Sequence, residues 1–527
     1  MNFNIKFKPV WLCLAALAAT QACTKDFEGL NQRQERISDA GLVYDANEGG
    51  FLLPTMMNAV ISPTNWIVQI QQNLLHDSYA GYLEPPGDFG GNANPLTYVT
   101  KGSTWTQMWS VSAGGVMNNW VQMYKNNIQE KYPDLYAIAL ILKVAGVHRI
   151  VDTYGPYPYL EYGLTAEPKF NTPEECYAAF FEELEWAVTA LNEMEAADPD
   201  ADQIRFAKWE RTSLGGEYRN WVKLANTLRL RLAMRISDAD PALAQTQAEA
   251  AANPANGGLL DPESGGFSFL PPNGNPYEEI INSWSDCRIS AAIVSYMDGF
   301  HDPRLPAYAK PATDPALNGE YRGIRPGAVR TLKDTYLNFS LPNIQKSTPM
   351  KIVDVAESYF LRAEGVLRGW NMGGGTAQEL YEEGVRVSIA ANGVSGADEY
   401  LQSTSTMLPY EDPKFPEYSS PALSDVTVKW DDGLTFDKKL EKIITQKWIA
   451  VWPEGAEGWS EFRRTGYPKQ FSVSESRNPL LPNGTFIKRA TYPETEVVSA
   501  TPAGYAQALS YLGRDDEDVT FYWMKKD

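Results

Sequence analysis

Residues 446–469 read QKWIAVWPEGAEGWSEFRRTGYPK, and this stretch is the most informative part of the sequence about the fold. It ends a longer run in which apolar residues recur every three or four positions, which is the spacing of one helix face. Pro453 ends that helix, because proline lacks the backbone donor that the next turn needs. Gly466 supplies a left-handed cap for a second, shorter helix, and Pro468 prevents its continuation. The pattern predicts a helical hairpin over residues 436–464, with a first apolar face formed by Phe436, Leu440, Ile443, Ile444, Trp448 and Val451.

The second helix of this hairpin is dense in aromatic residues. Trp459 and Phe462 fall on one side of it, and Arg463 and Arg464 close it. Large aromatic side chains stabilise packing strongly, and an arginine can stack on their faces. Because Trp is largely buried in most proteins, we interpret these residues as core rather than as a ligand site.

Helical spacing extends over most of the chain outside the hairpin. It covers residues 54–60, 66–79, 132–151, 173–195, 217–236, 351–370 and 376–392. Consecutive helices group into antiparallel pairs at 115–151, 174–236, 353–392 and 436–464. Each pair exposes an apolar face that its neighbour must cover, as in helical repeats, although no clean period of roughly 34 residues is present. We predict a mainly α fold, a TPR-like scaffold of about four helix pairs, with loop-rich inserts near 253–350 and 395–435 on one side.

The composition excludes one class of partner and leaves another open. The chain has 527 residues and a formal net charge of -20, which argues against nucleic acid or anionic lipid as a partner. It contains 15 Trp, 28 Tyr and 20 Phe. This excess of rings suits either the packing of many helices or stacking on sugars, and composition does not separate the two.

The N-terminus has the features of a secretory leader. Residues 1–22 carry Lys6 and Lys8 and then an apolar run too short to span a bilayer. Cys23 follows small residues as in a lipobox, although Thr20 replaces the usual leucine. We predict that Cys23 is lipidated and anchors the mature chain to a membrane surface, with an ordinary cleaved signal as the alternative.

A search for catalytic or metal-binding spacing finds none. The sequence has no GxSxG, HExxH, P-loop or strand-linked GxGxxG pattern. His76, His148 and His301 are scattered, and we interpret His148 as a satisfied interior residue. We therefore predict no catalytic residue, no metal ligand and no cofactor. A pair of carboxylates for sugar hydrolysis stays possible, because their separation is spatial and not sequential.

Aromatic residues in or beside loops, mixed with amides and carboxylates, mark a candidate ligand surface. Carbohydrate recognition needs flat aromatic faces for the C–H side of a sugar and planar polar groups for its hydroxyls. The alternative for each single ring is packing of a loop onto the helices. The predicted ligand-binding residues are Trp66, Tyr82, Asp88, Trp105, Asn282, Trp284 and Arg288.

Several stretches together resemble the SusD/RagB-like outer-membrane lipoproteins of Bacteroidetes. The ending FRRTGYP at 462–468 is similar to the family's WRRTGYP-type ending. CTKDFEGLN at 23–31 resembles the start of mature family members, including an export signal to the cell surface. WVKLANTLRLRLAMRISDADP at 221–241, AESYFLRAEGVLRGW at 356–370 and DTYGPYPYLEYG at 152–163 are also family-like.

The resemblance implies both a fold and a function. SusD-like proteins have four TPR-like units, bind glycans without altering them, and act as a lid on a TonB-dependent SusC-like barrel. We therefore expect a signal peptide over 1–22 and one lipoprotein domain over 23–527, anchored in the outer membrane and facing the exterior. The expected partners are a glycan and a SusC-like transporter. A peptide-binding RagB-like receptor and a surface glycoside hydrolase are the alternatives.

Overall fold

The computed structural model describes residues 46–89, 94–102, 109–317, 319–328 and 332–525, without the side chains of 109–113. The chain divides into two compact units, Met1–Glu48 and Gly49–Asp527. Of the first unit only residues 46–48 are described, so the leader and Cys23 lie outside the described residues, as does Trp105. The predicted single domain over 23–527 therefore stays a prediction.

The unit Gly49–Asp527 is built mainly from α-helices, which confirms the predicted class. The longer helices are α1 (Leu53–Ala59), α2 (the continuous segments Asn65–Val68, Gln69–His76 and Asp77–Tyr79), α3 (Trp109–Lys125), α4 (Pro133–Tyr154), α5 (Pro173–Ala197), α6 (Tyr218–Arg235), α7 (Pro241–Ala252), α8 (Ala291–Phe300), α9 (Glu357–Leu367), α10 (Ala377–Ala391), α11 (Phe436–Val451), α12 (Gly455–Thr465) and α13 (Pro502–Leu512). The middle segment of α2 is π-helical. Shorter helices are Asn47–Gly50, Ile128–Lys131, Leu305–Tyr308 and Ala397–Tyr400.

Local sequence signals set the helix ends. Thr172 and Glu175 form a capping box at the start of α5, with Pro173 in the first turn. Thr376 and Glu379 form a second capping box at the start of α10. Gly466 ends α12 in the left-handed conformation, and its N–H donates to the Phe462 carbonyl at 2.7 Å. The predicted hairpin of α11 and α12 is confirmed.

The helices pack in chain order. α3 packs on α4, α4 on α5 and α5 on α6, and further along α9 packs on α10 and α11 on α12. The four predicted pairs are therefore all present. Helix α9 also contacts α6 and α11, while α12 contacts α2, α4 and α6. The hairpin thus closes the scaffold by touching helices from both earlier halves of the chain.

Two short antiparallel ladders tie the inserts to the helices. β1 (Leu83–Glu84) pairs with β3 (Arg288–Ile289), and β2 (Phe267–Phe269) pairs with β4 (Met350–Val353). The insert at 253–350 is more ordered than its composition suggested, since it contains α8. The two inserts also contact each other: Lys414 pairs with Asp314 at 2.5 Å.

A cluster of buried charges lies where α6, α9, α11 and α12 meet, and we call it the ion network. Its four cations are at most 1% exposed, and each has a carboxylate within 2.7 Å. Burial alone would raise the pKa of Glu457, but the charges of Arg235 and Lys447 outweigh it and hold that pKa well below its ordinary value. The network consists of Arg231, Arg235, Lys447 and Arg464 with Glu357, Glu364, Glu457 and Glu461.

The tryptophans of the hairpin are core, as the sequence predicted, but Phe462 is only half-buried. Phe436 is 41% exposed because it lies in the first turn of α11, so its predicted place on the buried face is wrong. Trp448 and Trp459 are each 1% exposed. The Arg463 guanidinium lies 3.5 Å from the centre of the Trp459 ring. The Trp448 indole N–H donates to the Ala80 carbonyl at 2.8 Å, which joins α11 to the end of α2. The stretch quoted first is therefore the centre of the scaffold.

Candidate ligand site

Helix α2 begins with a solvent-exposed tryptophan. Trp66 is 50% exposed, although it lies in the first turn of a helix that is otherwise almost wholly buried. This first turn packs against the π-helical turn Glu279–Ser283 of the first insert. A ring so exposed stabilises the fold little, so its position at the edge of a loop-rich region favours a contact role.

The loop that follows Glu279–Ser283 is held by two side chains through three hydrogen bonds. Gln69 of α2 donates from Nε2 to Asp286 Oδ2 at 3.1 Å. Lys333 donates from Nζ to Asp286 Oδ1 at 2.5 Å and to the Trp284 carbonyl at 2.6 Å. These contacts fix the backbone on both sides of Ser285, whose φ is +55°. Trp284 is half-buried, and the loop that carries it is held in place by these contacts.

The β1–β3 ladder brings a second loop to the same place. It sets residues 85–88 beside the loop that contains Trp284. A Cβ built on Gly87 would lie 3.7 Å from the Lys333 side chain, so this loop packs along the lysine stem. Asp88 is exposed and accepts a hydrogen bond from Asn94. Asn282 is also exposed and donates to Glu278 Oε1 at 3.2 Å.

These elements define one candidate surface, which we call the Trp66–Trp284 surface. It combines two indole rings with an amide, two carboxylates and an ammonium group, all at least partly open to solvent. Flat rings bind apolar ligand faces, while carboxylates and amides accept and donate to hydroxyl groups. Its members are Trp66, Asp88, Asn282, Trp284, Asp286 and Lys333.

Two predicted site residues lie inside the protein instead. Tyr82 is wholly buried, its ring stacks on Trp448 at 5.2 Å between centroids, and its hydroxyl donates to the Trp448 carbonyl at 2.5 Å. Arg288 is 3% exposed and donates from Nε and Nη2 to the Leu337 carbonyl at 2.9 and 2.6 Å. Their binding groups are used within the fold, so we leave both out of the surface. The sequence could not show this, because both residues flank the loops that are exposed.

Two members of the surface, Asp286 and Lys333, are absent from the predicted ligand-binding residues. Lys333 lies 49 positions from Trp284 along the chain, in the short 3-10 turn Lys333–Thr335. No local pattern links the two, and only the packing of the insert brings them together. Trp105, which was predicted for the same site, lies outside the described residues.

The described residues offer no site for catalysis by a metal. No group of three or more His, Cys, Asp or Glu side chains among them is arranged to hold a metal ion. His148 is buried, with its pKa lowered to about 3 by burial and then by the charge of Arg231, and its Nδ1 lies 2.8 Å from the Val144 carbonyl. Its predicted interior role is confirmed. Within the described part of the chain, no helix is both long and apolar enough to cross a membrane.

A helical-repeat scaffold places the chain in the class of helical-repeat proteins, which present extended binding surfaces. The chain belongs to the SusD-like family, described as Susd and RagB outer membrane lipoprotein, whose model matches residues 29–525. No curated protein matches it. The predicted family is thereby confirmed.

Solved structures agree with this assignment. A chitin-binding SusD homolog from Flavobacterium johnsoniae is 39% identical, with a TM-score of 0.85, over 91% of this chain and 99% of that one. A SusD-like protein from Bacteroides thetaiotaomicron is 33% identical, with a TM-score of 0.82 and the same coverage. A SusD homolog from Bacteroides vulgatus is 31% identical, with a TM-score of 0.85, over 92% of this chain and 99% of that one.

Proposed function

We propose that this protein is a cell-surface lipoprotein that binds a glycan and passes it to a TonB-dependent SusC-like transporter. The observation that carries the proposal is Trp66, a half-exposed indole at the start of a buried helix, beside a second indole on a fastened loop. Membership of an outer-membrane lipoprotein family supports the location. Binding alone, with no covalent chemistry, is the activity.

The first ligand class to test is an N-acetylated glycan. The relative from Flavobacterium johnsoniae is described as chitin-binding and is 39% identical to this chain. Chitin presents flat sugar rings that bear acetamido groups, and the Trp66–Trp284 surface offers rings together with amide and carboxylate groups. Chito-oligosaccharides are therefore the reference ligand for the measurements below.

Titration calorimetry with chitohexaose, cellohexaose and a set of acidic and neutral peptides tests the ligand class. We expect Trp66→Ala and Trp284→Ala each to weaken oligosaccharide binding by about 1–2 kcal/mol, roughly five- to thirtyfold, because contact hot spots of this kind carry most of the binding energy. Melting temperatures should change little. Tyr124→Ala is the matched control, since Tyr124 is equally exposed but lies on α3.

Three results would contradict the proposal. Unchanged affinity in both tryptophan variants would show that the Trp66–Trp284 surface does not bind the ligand. Tight binding of peptides and not of glycans would favour a RagB-like peptide receptor. New reducing ends after incubation with the glycan panel would show a glycoside hydrolase.

The lipid anchor has a separate test. We expect Cys23→Ala to move the protein from the membrane fraction to the soluble fraction and to abolish labelling with a palmitate analogue, because acyl chains supply the membrane affinity. Continued tight membrane association of this variant would contradict the anchor. Recovery of a large barrel protein with the tagged wild-type chain, in mild detergent, would support transfer to a transporter.

A further inference from the structure

A cavity separate from the Trp66–Trp284 surface lies between the inserts and the α11–α12 hairpin. It has a volume of about 140 Å³. Its walls come from the short helix Leu305–Tyr308, from β4, from the end of α10 and from the turn Trp452–Glu454 that joins the hairpin helices. A cavity of roughly 150 Å³ is enough to hold one benzene-sized ring. The cavity therefore has room for one six-membered ring, and any substituents on that ring extend toward its opening.

One wall of this cavity is aromatic. Tyr308 stacks on Trp452 with the ring centroids 4.4 Å apart and the planes 15° from parallel. The Tyr308 hydroxyl donates to the Ile449 carbonyl at 3.0 Å, which fixes the stack against α11. Ile344 and Met350 add apolar surface. A ring with one apolar face could lie against this wall.

The charged groups at the cavity are already neutralised within the protein. Lys351 pairs with Asp354 at 2.5 Å. Glu454 pairs with Arg149, and both side chains are buried. No net charge is left for a ligand to balance, so the cavity suits a neutral ligand.

Two amide side chains at the cavity keep hydrogen-bonding capacity. Gln72 of α2 is 4% exposed, and its side chain forms no hydrogen bond to any residue that the structure describes. Because Gln72 lines the cavity, its amide can bind a ligand or a water molecule there. Asn392 donates to the Ser388 carbonyl at 2.8 Å, while its Oδ1 accepts nothing from the described residues. A neutral ring with hydroxyl or acetamido groups would satisfy both amides.

A polar cleft leads from this cavity toward the Trp66–Trp284 surface. The cleft has a volume of about 380 Å³ and is lined by residues 63–65 and 271–276. Asn275 lines both the cleft and the cavity. Asn65, at the other side of the cleft, directly precedes Trp66. The two binding regions are thus joined along one side of α2.

We propose that the cavity is a second subsite that takes the terminal ring of a neutral glycan, most simply an N-acetylhexosamine. This inference rests on the proposed function for its ligand class. It adds recognition of the end of the glycan to the contacts that the Trp66–Trp284 surface makes along the glycan. Gln72 and Asn392 bind the polar groups of the ring, and the Tyr308–Trp452 stack packs against its apolar face.

Two variants test the subsite from different directions. Gln72→Met keeps the shape of the side chain and removes its amide. Ala307→Phe fills the cavity from a partly exposed position, with Ala316→Phe as the matched control on an exposed turn that does not line it. We expect Gln72→Met and Ala307→Phe each to weaken chitohexaose binding at least about fivefold in calorimetry. Both should abolish saturation-transfer signals from free N-acetylglucosamine, which Trp66→Ala should retain.

The outcomes separate the two proposals. Wild-type affinity and undiminished monosaccharide signals in both cavity variants, alongside weakened binding in Trp66→Ala, would overturn the subsite and leave the proposed function intact. Absence of any saccharide binding by the wild-type protein would overturn both. The Gln72→Met variant should melt no lower than the wild type, because it removes a buried amide without a protein partner. A loss of affinity in it therefore cannot be assigned to unfolding.

Discussion

The α11–α12 hairpin, with its ion network, and the Trp66–Trp284 surface use the same residue types in different roles. Trp459 is 1% exposed and is covered by Arg463, whereas Trp66 is 50% exposed. Arg464 is held by two buried carboxylates, whereas Lys333 fastens a loop at the surface. Tryptophan and basic residues therefore do not mark a ligand site by themselves. Burial and the partner of each charge decide which region is scaffold and which is site.

The contrast also explains why the motif that identifies the family is not part of the candidate ligand surface. In FRRTGYP, Arg464 pairs with Glu364 at 2.7 Å, and Arg463 donates to the Asp152 carbonyl at 2.6 Å. Both arginines join helices that are far apart in the sequence. The motif therefore identifies the scaffold and not the ligand, since one scaffold can carry different ligand surfaces.

The largest effect should come from breaking the ion network. Arg464→Met leaves Glu364 and Glu461 buried beside one another without their shared cation, so we expect a loss of about 3–5 kcal/mol in the free energy of unfolding. Urea denaturation, monitored by tryptophan fluorescence, measures this free energy of unfolding. Arg386→Met removes three ion pairs at the protein surface and should cost only about 1 kcal/mol. Equal losses in the two variants would contradict a special role for burial.

The same network predicts the response to acid. Burial would raise the pKa of Glu364, but Arg464 and then Arg368 lower it to about 2. The unfolded chain takes up this proton near the ordinary value of 4.5, so the stabilisation is present above that pH and is lost as pH falls toward 2. In Arg464→Met the loss of stability on acidification should begin at a higher pH, because the main charge that lowers the pKa of Glu364 is gone. An acid midpoint identical to that of the wild type would contradict this account.

A smaller effect should come from Asp77, which lies on α2 between the two regions. Burial is the main cause that raises its pKa to about 8, while the Tyr277 hydroxyl opposes the rise. The folded protein therefore keeps a proton that the unfolded chain releases near 3.8, and this stabilisation, full below 3.8, is lost as pH rises through about 8.

Asp77→Asn carries the same donor and acceptor as the protonated acid but cannot ionise. We expect it to match the wild type near pH 4 and to be roughly 1–3 kcal/mol more stable near pH 8. Thermal melts at both pH values provide the measurement. A variant that is less stable at pH 8 would show that the carboxylate is needed in its charged form.

The smallest effect on stability should come from Lys333. Lys333→Met breaks a partly exposed ion pair and should lower the free energy of unfolding by less than about 1 kcal/mol. It also frees the loop that presents Trp284, so chitohexaose affinity should fall severalfold, since binding must then order that loop. Lys101→Met is the matched control, because its ion pair with Asp516 is also at the surface. A large loss of stability without a change in affinity would place Lys333 in the scaffold.

Much of the scaffold could be predicted, and only part of the site. Helix spacing, Thr172 with Pro173 at one helix start and Gly466 at another helix end are local signals, and each is present as predicted. Tyr82 and Arg288 are an aromatic and a polar residue, as are Trp66 and Asn282, but Tyr82 and Arg288 are buried. Nothing in the neighbouring sequence separates these cases, since all four lie beside loops.

Periodicity, caps and breakers, which act over a few residues, predict most of the longer helices, their pairing and the hairpin. The family followed from the resemblance of quoted motifs such as FRRTGYP. The packing of the folded chain sets which rings face solvent, brings Lys333 to the Trp284 loop, and places Gln72, Tyr308 and Trp452 around one cavity. Those facts depend on contacts between residues tens to hundreds of positions apart. Such contacts are fixed by how the inserts pack on the helices and leave no local trace in the chain.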